Sequence, residues 1–242
     1  GLVGSEMCIR DSNSTTYMSF FSQMDTYGDG YAGIGVWRAA FKPLVDRIAD
    51  TDIRLQWFCC DRSTGVTDAS GKRVTLIRDT KYPVSVEYQT VKFIGTGRDN
   101  IKAGVFSGWE LGDYIYLRSE EAYMIKMEAL AHKGSADAIT ELNSFMKTRQ
   151  PDYNYTFTNK ADLIEEIIYQ KRVEFWGEGL EYIDNRRLNI PVDRTDETWG
   201  AENNNHFSAG KFRYNQEERP FLYQLPLSEI ENNSQLSPTD QN

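Results

Sequence analysis

Two apolar stripes joined by a link too short for anything but reversal constrain this chain most. From Tyr114 onward, Leu117, Met124, Met127, Leu130 and Ala131 recur at helical spacing, and Gly134 supplies a stop. Ser135 is the expected N-cap of the next segment. There Ala138, Ile139, Leu142, Phe145 and Met146 form a second stripe that ends before Pro151. Each stripe must leave water, and so short a link lets the two helices meet only by packing antiparallel. A third helix is expected from about Lys160, with Leu163, Ile164, Ile167 and Ile168 on one side. Phe175, Trp176, Leu180 and Ile183 continue it. Gly177 and Gly179 weaken that helix by about 1 kcal/mol each relative to Ala, which predicts a neighbouring helix or chain packed closely there.

The remainder is less regular. Tyr27-Gly28-Asp29-Gly30-Tyr31 and Gly33-Ile34-Gly35 read as loop. A short helix is expected from Trp37 to Ala49, interrupted by Pro43. Val74–Ile77 and Val84–Phe93 lean toward short strands or extended loop, and Gly95, Gly97, Gly104, Gly108 and Gly112 punctuate an irregular segment. Asp193–Arg219 reads as a long polar loop, Phe221–Pro226 as an extended piece, and Ser228-Glu229-Ile230 as a turn before a polar tail. The first helix pair has the length of one tetratricopeptide-type unit. The expected fold is mainly α: tetratricopeptide-like helix pairs with long irregular loops and a few short strands.

Charge excludes one class of partner. With 27 basic against 36 acidic residues the chain carries −9, and nucleic acid is not expected, since phosphate binding rests on Lys and Arg. No apolar run approaches the ~18 residues of a membrane span. Cys8 stands apart from the adjacent Cys59 and Cys60, so no disulfide framework is visible. His132 and His206 are the only histidines, which argues against a His-based metal site or a His-dependent triad. No cofactor is expected. Gly95-Thr96-Gly97 lacks the third glycine of a dinucleotide loop. Asp25, Asp29 and Gly30 sit beside Tyr27 and Val36 where calcium would need oxygen, and Gly104–Gly108 has the wrong spacing for a nucleophile elbow. Residues 1–12 read as a non-native leader, without the charged and apolar regions of a signal peptide. The rest reads as part of a longer protein.

Four stretches, in order, resemble the C-terminal half of the SusD/RagB family. The first is Gly112-Asp113-Tyr114-Ile115-Tyr116-Leu117-Arg118 through Tyr123, followed by Lys126-Met127-Glu128-Ala129, with Ser119 and Glu120 departing in detail. The second is Ala138-Ile139 with Leu142-Asn143 and Arg149. The third and most specific runs from Lys171-Arg172-Val173-Glu174-Phe175-Trp176-Gly177-Glu178-Gly179 to Asp184-Asn185-Arg186-Arg187. In it Lys171 replaces the usual Glu, and Glu181 stands where Arg is common. The fourth is Leu225-Pro226-Leu227-Ser228-Glu229-Ile230 with Asn232 and the closing Gln241-Asn242. Weaker likeness reaches back to Asp52-Ile53-Arg54-Leu55. The resemblance implies a loop-rich ligand-side segment over 13–113 and a helical segment with a tail over 114–242. It also implies an outward-facing outer-membrane lipoprotein, anchored through an N-terminal cysteine absent from this fragment. Such proteins bind oligosaccharide without chemistry of their own and sit over a SusC-like TonB-dependent transporter.

The third stretch invites a competing reading. Glu174 and Glu178, four apart on one helix, could present paired carboxylates, the apparatus of a glycoside hydrolase. The balance of Arg172, Glu174, Glu178, Asp184, Arg186 and Arg187 favours a structural ion-pair set that neutralises itself where helices pack. Sugar recognition needs flat rings beside polar groups on loops held by a scaffold. Tyr27, Asp29, Tyr31, Trp37 and Arg38 fit that best, with Trp57, Trp109 and Trp199 behind them, while Trp176 reads as core. A plain tetratricopeptide-type protein scaffold is the third alternative.

Overall fold

Side chains at the helix ends decide where each element begins. In the computed structural model, residues 8–10, 20–24, 38–60, 87–93, 113–218, 225–237 and 239 are described. They fall into two units that divide after Glu174. The first holds β1 (Cys8–Arg10), α1 (Phe20–Met24), α2 (Lys42–Asp46), a 3₁₀ turn (Ile53–Trp57), β2 (Phe58–Cys59), β3 (Gln89–Thr90) and β4 (Asp113–Ile115). It continues through α3 (Ser119–Lys133), α4 (Asp137–Met146) and α5 (Lys160–Glu174). The fold is mainly α.

The antiparallel pair α3–α4 forms as its stripes require. Gly134 takes φ +71°, its N–H donates to Ala131 O, and Ser135 N–H donates to Leu130 O. These two bonds satisfy carbonyls that the helix end would leave orphaned. The Ser135 hydroxyl accepts from Asp137 N–H at 3.3 Å, which opens α4. Lys126 and Glu141 then meet across the pair at 2.7 Å. Met124, Met127 and Ala131 pack with Ala138, Leu142 and Met146, and α5 adds Leu163, Ile167, Ile168 and Val173 to this core. Leu117 is the exception in the first stripe: it precedes α3 and is exposed. Asn143 grips the linker beyond α4, donating to Tyr155 O and accepting from Tyr155 N–H. Asn159 caps α5 by accepting from Asp162 N–H at 2.9 Å.

Several local expectations are corrected. Pro43 does not interrupt a helix from Trp37; it opens α2, where its missing N–H costs nothing. The helix from Lys160 stops at Glu174, because Gly177 and Gly179 take φ +79° and +85°. A Cβ on Gly179 would meet nothing within 4 Å, so backbone freedom, not close packing, explains that glycine. Separately, β1 pairs antiparallel with β4. The segment Tyr88–Val91 runs between residues 38–40 and 57–59: Thr90 N–H donates to Arg38 O, and Val91 N–H to Trp57 O. The expectations on residues 25–37, 74–77 and 94–112, and on Phe221–Gln224, lie outside the described residues.

The second unit places short helices and a two-stranded ladder within the expected polar loop. It contains α6 (Leu180–Arg187), β5 (Val192–Asp193), α7 (Asp196–Trp199), a 3₁₀ turn (Ser208–Gly210), β6 (Arg213–Tyr214) and α8 (Leu227–Asn232). β5 and β6 pair antiparallel, with Val192 opposite Tyr214 and Asp193 opposite Arg213. Polar side chains carry this fold by bonding to backbone, which hydropathy patterning does not register. The Ser228–Ile230 turn is part of α8. Among the described residues no helix is long and apolar enough to cross a membrane.

The left-handed geometry at Gly134 gives a direct test of the reversal. Gly134→Ala is expected to lower unfolding free energy by about 1 kcal/mol, and Gly134→Asn by less, in denaturant titrations.

Candidate functional site

Glu174 closes α5 at the centre of a buried cluster of charge. Its side chain is 2% exposed. Oε1 accepts from Arg118 Nη1 and Arg149 Nη2, each at 3.1 Å. Oε2 accepts from Arg149 Nε at 3.3 Å and Arg54 Nη1 at 3.4 Å. Its backbone oxygen, one of the carbonyls a helix end leaves open, accepts from Lys92 Nζ at 2.7 Å and Arg118 Nη2 at 2.9 Å. Cations at this end also complement the helix dipole.

Arg54 is itself 1% exposed and is held on its other edge by Asp52, whose carboxylate accepts from Nη2 at 2.6 Å and from Nε at 3.1 Å. Gln170 adds its side-chain oxygen to Arg54 and donates to Glu166 Oε1 at 2.7 Å. Glu166 also accepts from the Tyr153 hydroxyl at 2.9 Å and from Arg47 at 2.7 Å. Ile53 N–H donates to Arg149 O, so the 3₁₀ turn is fixed to the end of α4 by backbone as well. The cluster thus joins the 3₁₀ turn, the entry to α3, the exit of α4 and the last turns of α5.

Electrostatics fix the state of Glu174. Burial pushes its pKa up, but the Arg149 hydrogen bonds and the charges of Arg149, Arg54 and Arg118 outweigh it and hold the carboxyl at about 2. Burial likewise pushes up the hydroxyls of Tyr153 and Tyr169, so both stay neutral. A general acid for glycosidic cleavage needs the opposite, a carboxyl raised toward neutrality. Glu174 has no proton to give at neutral pH.

The rest of the charged signature is placed elsewhere. Glu178 does not share a helix with Glu174: it lies in the turn after α5, its N–H donating to Phe175 O. Asp184 accepts from Arg187 within α6 at 2.8 Å, and Arg186 donates to the backbone oxygen of Gln216. Arg172 is half-buried on α5, and Trp176 is half-buried just beyond it. The partners of Glu174 therefore come from outside its own motif. Arg54, Arg118 and Arg149 stand in the quoted family stretches, but no spacing rule pairs them with Glu174.

Of the ligand candidates, Tyr27, Asp29, Tyr31, Trp37 and Trp109 lie outside the described residues. Arg38 and Trp57 flank the same Tyr88–Val91 segment. Arg38 spends its guanidinium on Gln23, donating from Nε to its backbone oxygen at 3.0 Å and from Nη2 to its side-chain oxygen at 2.8 Å. Those two bonds tie Arg38 to α1. Trp57 is half-buried, and Lys92 Nζ stands 4.8 Å from its ring centroid. The same Lys92 caps α5, so one side chain links the Trp57 ring to the arginine cluster. Trp199 lies in the second unit, its indole N–H donating to Asp193 O at 2.9 Å. Among the described residues no group of three or more His, Cys, Asp or Glu side chains is placed to hold a metal.

Paired helices decorated by short ladders and long connections define a mainly α protein of the tetratricopeptide-like kind. The same fold occurs in the crystal structure of a SusD-like carbohydrate binding protein from Bacteroides vulgatus ATCC 8482. Its TM-score is 0.60 at 21% identity, over 89% of this chain and 44% of that one. A second structure from the same organism, described as a sugar binding protein, matches at 0.60 and 19% identity over 96% of this chain and 43% of that one. This chain therefore spans less than half the length of either. No curated protein matches it. The SusD family model matches residues 42–242, and the chain belongs to that family.

Removing the Glu174 charge has a defined signature. Its folded pKa lies below the ordinary 4.5, so its contribution is complete above that value and is lost as pH falls toward about 2. The gap corresponds to roughly 3 kcal/mol. Glu174→Gln is expected to cost about 3–5 kcal/mol at pH 7, and the difference from the unaltered chain to shrink on acidification below pH 4.5, in urea titrations across pH.

Proposed function

We propose that this chain is part of a non-catalytic cell-surface binder of oligosaccharide or a similar nutrient, which hands its ligand to a TonB-dependent outer-membrane transporter. The observation that carries the non-catalytic part is the state of Glu174. The best-placed carboxylate of the charged signature is enclosed by three arginines and kept ionised. Its supposed partner Glu178 is not on its helix. Membership of the SusD family supports the binding part, as do the two structural neighbours described as carbohydrate or sugar binding.

On this reading the arginine cluster is scaffold, and recognition falls to rings and polar groups on the connections it supports. Tyr27, Asp29, Tyr31 and Trp37 are the proposed contacts. Trp57, which lies against Lys92, is a further one. The full protein is proposed to be a lipoprotein anchored in the outer membrane and facing outward, with a SusC-like transporter as its partner.

The test separates binding from chemistry. The chain is expected to be retarded on affinity gels containing one of a panel of polysaccharides and to release no reducing ends from it. Tyr31→Ala and Trp37→Ala are expected to reduce retardation severalfold with the melting temperature unchanged. Reducing-end release that disappears in Glu174→Gln would overturn the reading in favour of a glycoside hydrolase. Retention that ignores both ring substitutions would remove the proposed contacts.

A further inference from the structure

One residue in the second unit holds both an aromatic ring and a guanidinium, the first through its backbone oxygen and the second through its carboxylate. Asp193 closes β5. Its Oδ1 accepts from the Thr195 N–H at 3.0 Å and hydroxyl at 2.7 Å. Its Oδ2 accepts from the Thr198 hydroxyl at 2.7 Å and from Arg213 Nη1, on the facing strand β6, at 3.0 Å. Its backbone oxygen accepts the indole N–H of Trp199. The ring and the guanidinium are thus both anchored to a single residue.

Anchoring here does not mean hiding. Trp199 remains 38% exposed and the Arg213 side chain 55% exposed. The indole has its polar atom satisfied by Asp193, and more than a third of the residue's surface stays open to water. A ring and a charge already held in place need little further ordering when a ligand arrives. The chemistry that suits the pair is an apolar C–H face lying on the indole, with hydroxyls within reach of a cationic donor. A pyranose ring offers both.

We infer that Trp199 and Arg213 form a second carbohydrate-contacting platform, taking one pyranose unit of an oligosaccharide. It lies far in sequence from the Tyr27–Trp57 region and is held by Asp193, Thr195 and Thr198. The inference rests on the glycan-binding reading above and extends it to residues that hydrophobic patterning left in a polar loop. Asp193 is the positioning residue. It touches no sugar.

The test measures affinity of the full chain for soluble α-glucan, xylan, mannan and mucin oligosaccharides by titration calorimetry, with melting temperatures in parallel. Trp199→Ala is expected to weaken binding of the preferred oligosaccharide by about tenfold, and Arg213→Ala by a smaller factor. Trp199→Phe, which keeps a ring face and loses the N–H, is expected to retain most of the affinity. If the unaltered chain binds and both alanine variants bind equally well, the platform is wrong and the glycan reading stands. If the unaltered chain binds none of the four, both fall. Should Trp199→Ala melt early, Arg213→Ala decides, since it removes no ring: unchanged affinity in that variant overturns the platform.

Discussion

A carboxylate taken out of water without partners costs several kcal/mol, and Glu174 meets that cost with three arginines drawn from three separate segments. The arrangement is reciprocal. Arg54 is as deeply buried as Glu174, and it is tolerated there because Asp52 and Gln170 occupy its other donors. Each charge in the cluster is affordable only while the others are in place. The ends of α4 and α5, the start of α3 and the 3₁₀ turn are therefore fixed relative to one another by directional bonds, in addition to the apolar contacts of Met124, Leu142 and Ile167. Apolar packing alone would allow helices to slide; bidentate arginine geometry does not.

That rigidity is what a binding surface on loops requires. Lys92 reaches from the Trp57 ring to the last carbonyl of α5, and the Arg38–Gln23 clamp sits one strand away from Trp57. Trp57 and Lys92 are thereby tied to the charged core of their unit. The second unit uses the same device in miniature, with Asp193 collecting two hydroxyls, an amide and an arginine to organise a segment nearly devoid of buried apolar residues. In both places ionised side chains hold separate segments together through directional hydrogen bonds.

The helix pair was legible because burial repeats with the period of the backbone: Met124, Met127 and Ala131 on α3, and Ala138, Leu142 and Met146 on α4, are all buried. Gly134 announced the reversal, since only a residue comfortable at positive φ ends a helix this way. The same logic misled at Gly177 and Gly179, where apolar residues on both sides suggested one long helix and the glycines instead end it. The partners of Glu174 were not legible at all. They lie 120, 56 and 25 residues away in sequence, and pairing over such distances leaves no periodic trace. Nor was the Asp193–Arg213 ladder, whose elements are two residues long and held mainly by side-chain hydrogen bonds.

Glu174 is an ionised structural hub and not a reservoir of protons. Carbon-detected NMR of its side-chain carboxyl, assigned through Glu174→Gln, measures this directly as pH is lowered. The signal is expected to stay in its ionised position through pH 4 and to move only toward pH 2, together with the loss of folded structure. A carboxyl that titrates at or above the ordinary 4.5 while the chain remains folded would contradict it.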